Sequence, residues 1–220
     1  AGVGFAAASG HLPGSTAPNS WLPLAVGLAL AVMIVAYDGP LKRTPLAPPA
    51  MGACRLLSFL LGTAPCLSLA AGLPLFPKHV VCIAIGFGVY VMGITTMARH
   101  EATGGASPNL PTGLVVTVLG LVMLALAPQL ARNPIGWHVS PSGVFPMLVG
   151  MISVPVVLRG FRAVRDPTPP KIRTTIQVGV LSLIPLSASF ALLGAGPAWA
   201  IAVFLLIVPS MLLAMRIHVT

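Results

Sequence analysis

Acidic side chains are nearly missing from this chain. Of its 220 residues only Asp38, Glu101 and Asp166 carry a carboxylate, and Asp, Glu, Lys and Arg together make up 7% of the sequence. Soluble globular domains carry roughly 25% charged residues, so that class is excluded. Cysteine is equally sparse. Cys54, Cys66 and Cys82 stand singly in apolar segments, without the C-x-x-C spacing of a zinc site or the even, regular spacing of a disulfide framework. They read as small buried hydrophobes. The first ten residues, "AGVGFAAASG", have no basic region of the kind that opens a signal peptide, and residue 1 is not Met. These residues read as the end of a helix whose beginning lies upstream, making the chain part of a longer protein.

What the chain does have is apolar length. Hydrophobic residues make up 56% of it, the mean hydropathy is +0.98, and blocks near the roughly 20 residues needed to cross a bilayer alternate with Pro, Gly and charge. The blocks predict membrane helices over 20–37, 48–73, 79–98, 111–131, 142–160, 174–193 and 196–216. The fold class is therefore all-α: a polytopic transmembrane bundle, one domain over 1–220, with the turn at Gly194 to Pro197 joining the last two helices. Pro65, Pro146, Pro155, Pro185 and Pro209 fall inside blocks, where a packed membrane helix tolerates proline at the cost of a kink.

The net charge of +9 is no nucleic-acid footprint, because its placement follows the membrane. Ten of the twelve Lys and Arg fall on one side of the predicted helices, in or beside the connections 38–47, 99–110 and 161–173 and at Arg216; Lys78 and Arg132 alone fall on the other. The positive-inside rule assigns the basic side to the cytoplasm. Trp21, Trp137 and Trp199 lie near helix ends on the less basic side, as an interfacial belt would place them.

All three acids share the basic side. Two readings are open for Asp38 and Asp166: they balance neighbouring cations at helix ends, or they help form a polar mouth for a polyanionic head group, where Arg and Lys grip phosphate and a carboxylate supports a bridging divalent metal. Arg55, one to two turns into its helix, either reaches a cavity or snorkels to the head groups. His79 and His138 read as interfacial and His100 as solvated. Met51, Met92, Met97, Met123, Met147 and Met151 read as lipid-facing or packing residues. Gly86, Gly88 and Gly93 follow no strand, so they fit close helix packing better than a dinucleotide fingerprint.

"AYDGPLKRTPLAPPAMG", residues 36–52, resembles the connection in the UbiA superfamily of intramembrane prenyltransferases where a helix ending in Tyr is followed by Lys-Arg, Pro and then Gly. "GVYVMGITTMARHEA" occupies the place of that family's second Asp-rich motif. The segment from "RDPTPPKIRTT" to "VPSMLLA" is similar to the C-terminal helices of a divergent, prenyltransferase-like branch. The likeness spans most of residues 21–216. It implies a bundle of about nine to ten helices, at roughly 20 residues per crossing, that encloses a cavity and transfers a prenyl group from a prenyl diphosphate to a hydrophobic, commonly aromatic, acceptor. It also implies magnesium held by two Asp-rich motifs. Carried over position by position, Tyr37 and Lys42 match the family's Tyr and Lys, with Arg43 adjacent; the resemblance then implies Tyr37 as a catalytic residue, Lys42, Arg43 and Arg99 as diphosphate-binding, Glu101 as a weak metal ligand, and Asp38 and Arg55 as candidate orienting or supporting residues.

The departures are equally specific. The first Asp-rich motif would lie upstream, the second is reduced to "ARHEA" with Glu101 as its one acid, and Pro49 stands near a place where the aromatic branch often has Gln. The alternative reading is a transporter or lipid-handling protein that keeps the bundle without the chemistry. A membrane phosphoalcohol transferase would need a cluster of spaced aspartates, which this chain does not have.

Overall fold

The computed structural model describes residues 4, 6, 21–64, 76–99, 109–131 and 136–211. Helix α1 spans Trp21–Asp38 and is followed by a 3-10 turn, Leu41–Arg43; α2 spans Ala47–Thr63, α3 Lys78–Ala98 and α4 Asn109–Leu126, the last continuing as a 3-10 segment, Ala127–Leu130. Then come α5 (Val144–Arg165), α6 (Pro169–Leu181), α7 (Leu183–Ala195) and α8 (Pro197–Leu205). No strand occurs among the described residues. Five stretches are long and apolar enough to cross a membrane: Trp21–Asp38, Lys78–Ala98, Asn109–Leu130, Val144–Arg165 and Pro169–Ala195. The chain is an all-α, multi-pass membrane bundle.

Helix α3 is its axis. It packs against α2 on one side and α4 on the other, and it also touches α6. Lipid is as apolar as leucine, so membrane helices gain little by burying large side chains against one another and instead approach closely through small residues. The α3–α4 seam follows that rule. Gly86 meets Leu124, Gly120 meets Tyr90, Gly93 meets Thr117 and Gly113 meets Met97, an antiparallel register in which a Cβ on Gly120 would lie 2.5 Å from the Tyr90 backbone nitrogen. On the other side Gly52 of α2 faces Gly88 of α3 in the same way, a Cβ on Gly52 coming to 2.6 Å from the Gly88 carbonyl oxygen. Large residues fill the space these contacts leave. The rings of Phe59, Phe87, Phe190 and Phe145 run in sequence through α2, α3, α7 and α5, with centroid separations of 5.6, 5.6 and 5.0 Å. The outward face carries exposed Leu, Val, Ile and Met, with Met147 and Met151 among the most exposed, as lipid contact requires.

Two helices end where proline dictates. Proline has no N–H for the carbonyl four residues back and its ring crowds that carbonyl. Pro185 therefore acts on Leu181, the last residue of α6, and Pro209 acts on Leu205, the last residue of α8. The span expected as one helix over 174–193 is thus two, broken at Ser182. Pro155, by contrast, sits inside an unbroken α5. The expected basic break near 161–173 is also mostly helical: α5 runs on to Arg165 with Arg162 and Arg165 in its last turn, where cations suit the helix dipole, and α6 opens with Pro169 and Pro170, residues preset for a first turn. Gly196, at φ 94°, is the one residue with positive φ among those described, and it makes the expected turn between α7 and α8. The part of the expected second span beyond 64, and Pro65 with it, lies outside the described residues, as does Cys66.

The two ends of the bundle differ. Trp21 and Trp199 are exposed at the starts of α1 and α8, and Trp137 makes an edge-on contact with His79 at 6.1 Å. The His138 amide donates to the Leu193 carbonyl at 3.1 Å. Tryptophans and both histidines therefore gather at one end, while Lys42, Arg43, Arg99, Arg162, Arg165 and Lys171 gather at the other by the antiparallel alternation of the helices.

Candidate functional site

At the basic end, the link from α1 to α2 is held by its own polar groups. The Thr44 hydroxyl donates to the Leu41 carbonyl at 2.8 Å and accepts from the Leu46 amide at 3.3 Å. The Thr44 and Ala47 amides close two further turns, onto Leu41 and Thr44 carbonyls at 3.0 and 3.2 Å. This short brace projects Lys42 and Arg43 outward, both exposed, beside a half-buried Tyr37 in the last turn of α1. Arg99 is exposed directly after α3, and the Gly52–Gly88 contact sets the start of α2 beside the end of α3. Tyr37, Lys42, Arg43 and Arg99 therefore share one end of the α1–α2–α3 unit. Asp38 is also there, yet it forms no ion pair with Lys42 or Arg43 among the described residues.

Beneath that end lie two adjoining clefts that share Arg55 and Ser58 as a common wall. One, of about 410 Å³, runs between Leu30 and Ile34 of α1, Met51 and Cys54 of α2, and Val91 of α3. The other, of about 330 Å³, lies between α2 and the rings of Phe87 and Phe190, with Thr63 and Ser187 as its further polar members. Both are open on one side. Arg55 stands eight residues into α2, a depth of about 12 Å at 1.5 Å per residue. A cation there is costly, and such residues characteristically face a cavity or pathway. Arg55 borders both clefts and is exposed, so its position is compatible with both readings, a side chain that reaches the clefts and one that extends to the head groups.

Glu101 and His100 lie outside the described residues. Among the described residues no three His, Cys, Asp or Glu side chains come together as a metal-holding group; Asp166 is paired with Lys171 and is remote in sequence and helix from Asp38. The described donors do not fit a magnesium site by themselves.

Two features escaped sequence reasoning. The first is a polar knot at the α6–α7 break: the Tyr90 hydroxyl donates to the Gly179 carbonyl at 2.8 Å and shares a 2.5 Å contact with the Ser182 hydroxyl, which itself reaches the same carbonyl at 2.7 Å. Tyr90 is fully buried. The second is a basic cavity between α5 and α6, lined by Arg159, Arg162 and Lys171. Its signal was present as cations at i and i+3 before the turn and a Lys-x-x-Thr-Thr pattern after it. Compared with family models, with curated proteins and with solved structures, the chain matches none of them.

Proposed function

We propose that this chain belongs to an intramembrane prenyltransferase related to the UbiA superfamily, with its basic end facing the cytoplasm, transferring a prenyl group from a prenyl diphosphate to a hydrophobic acceptor. The observation that supports it is the stacking of two environments: a cationic end bearing Tyr37, Lys42, Arg43 and Arg99 above apolar clefts that carry one deep cation, Arg55. That pairing suits an amphipath with a polyanionic head and a branched hydrocarbon tail. Lys42, Arg43 and Arg99 hold the diphosphate through charge-assisted hydrogen bonds. Departure of diphosphate develops negative charge that those cations stabilise, and the apolar walls of Leu30, Ile34 and Val91 keep water from the allylic carbon. Tyr37 faces the head-group region with a ring face and a hydroxyl. Magnesium, which the resemblance implies, would need donors beyond the described residues, and no step here is routed through it.

The chain by itself lacks the upstream Asp-rich motif that the resemblance implies and is expected to be inactive alone, so the test uses the full-length protein, upstream segment included, in lipid nanodiscs with radiolabelled prenyl diphosphates and a panel of hydrophobic acceptors. Each charge-assisted bond is worth roughly 1.5–3 kcal/mol and 1.4 kcal/mol is one decade, so Lys42→Gln should weaken prenyl diphosphate use by at least about tenfold while the acceptor's apparent affinity stays unchanged. Lys78→Gln, at the opposite end of the bundle, should behave as wild type. Equal losses from both variants would overturn the site. Binding of prenyl diphosphate without transfer to any acceptor would overturn the enzyme reading in favour of lipid handling.

A further inference from the structure

The α5–α6 hairpin carries a cavity that the prenyl-transfer proposal does not use. Arg159 and Arg162 project from the last turns of α5, and Pro170, Lys171, Thr174 and Thr175 come from the first turns of α6, around a space of about 360 Å³. Both arginines are exposed, so their charges are available. The threonine hydroxyls are already committed as donors, Thr174 to the Pro170 carbonyl at 2.8 Å and Thr175 to the Lys171 carbonyl at 2.9 Å, which leaves their oxygens able to accept but makes the cations the donors to any ligand. The start of α6 offers no amide to a ligand, since Pro169 and Pro170 carry no N–H and the Lys171 and Ile172 amides donate to the Thr168 carbonyl. Three cations converging on one cavity select an anion with several acceptor oxygens.

The surroundings select the source of that anion. Toward the membrane, α5 presents Val154, Leu158 and Phe161, all exposed. Apolar side chains in the open below a cationic cavity at the bundle's end are the arrangement expected for a lipid whose head group sits among cations and whose chains lie along the helices. Among the described residues Asp166 is the carboxylate beside the cavity, and it pairs with Lys171. A bound phosphate must compete with it.

We propose that the cavity between α5 and α6 is a binding site for the phosphate head group of an anionic membrane lipid, held by Arg159, Arg162 and Lys171, with Asp166 setting its affinity by competing for Lys171. The proposal stands independently of the prenyl-transfer reading, since it shares no residue with that site.

Binding of pyrene-labelled phosphatidic acid to the full chain in neutral detergent tests it. Arg159→Gln/Arg162→Gln should lower affinity at least about tenfold. Arg165→Gln removes an equal charge per site from the same hairpin, but its guanidinium lies over the Phe161 ring, 4.5 Å from the centroid, outside the cavity; it should change affinity by less than about twofold. Asp166→Asn should tighten binding about threefold or more, a gain that misfolding cannot produce. Unlabelled phosphatidic acid should displace the probe, and millimolar inorganic phosphate or diphosphate should not. A loss with Arg165→Gln matching that of the double variant would mean diffuse attraction to an anionic surface and overturn the site. Weaker binding in Asp166→Asn would overturn the competition, and displacement by soluble phosphate would overturn the lipid assignment.

Discussion

Tyr90 shows how a single residue can repair a break. A helix interrupted inside a membrane has no water to satisfy its carbonyls, so neighbouring hydroxyls must do so; here Tyr90 and Ser182 both reach the Gly179 carbonyl. Tyr90→Phe leaves Ser182 as donor, so the expected loss is that of one net hydrogen bond, about 1 kcal/mol, seen as a lower midpoint on SDS unfolding. Adding Ser182→Ala should cost more than Ser182→Ala costs in the wild-type background, because the two hydroxyls serve one carbonyl. Strict additivity would show that each acts alone. Arg55 makes the opposite case. Exchanging a costly intramembrane cation for an apolar side chain removes a penalty of roughly 2.5–3.5 kcal/mol on the insertion scale, so Arg55→Met should raise the unfolding midpoint while lowering prenyl diphosphate use. Gained stability with unchanged activity would assign Arg55 to packing alone. The position of Arg55 was legible in the sequence, but its surroundings were not, since the cleft walls come from α1, α3, α6 and α7. The Tyr90–Ser182 contact spans 92 residues, beyond the reach of any local pattern.

Among the elements, glycine marks which helices must touch. Gly93 and Gly120 lie on the seam of α3 and α4, where a Cβ would meet partner backbone nitrogens at 2.5 Å, and backbone cannot step aside as a side-chain tip can. Gly93→Ala and Gly120→Ala should each lower stability measurably, by about 1–3 kcal/mol as overpacking does. Gly150 in α5 meets nothing within 4 Å, so Gly150→Ala should be neutral or stabilising by up to about 1 kcal/mol through helix propensity. A reversed order would refute the seam. The role of Gly93 was readable from the sequence, because glycine far from any turn in an apolar block has few other uses; its pairing with Thr117 was not, since register depends on how two helices slide. The five membrane-length stretches and their order were readable for a similar reason, namely that bilayer thickness imposes a length. Helix ends were less so. Arg159, Arg162 and Arg165 look like the end of a span, but arginine can continue a helix past the hydrocarbon and hold its charge in the head groups, and that continuation builds the walls of the basic cavity.

For the molecule as a whole, the two ends carry different chemistry, and that difference predicts how it sits in a membrane. Trp21, Trp137 and Trp199 mark one end, where amphipathic rings favour the interface; the ends of α1, α3 and α5 carry the cations. Lysine and arginine resist translocation in short connections, so the basic end should face the cytoplasm. With Cys54, Cys66 and Cys82 replaced, single cysteines at Thr44 and Thr168 should react with a membrane-impermeant maleimide only after the cytoplasmic face is opened. A cysteine at Ser140, beside Trp137 and before α5, should react in intact cells. Thr44 and Thr168 are the informative pair, because four helices, α2 to α5, separate them in the chain, and three of these, α3 to α5, are long and apolar enough to cross a membrane. An odd number of crossings in that interval would put them on opposite faces and separate Lys42 from the α5–α6 cavity by a bilayer. Labelling of both from the same face, with Ser140 on the other, requires an even number and a membrane crossing by α2, whose 17 residues carry Arg55 at their middle. The same experiment therefore tests whether the helix that lines the clefts spans the membrane.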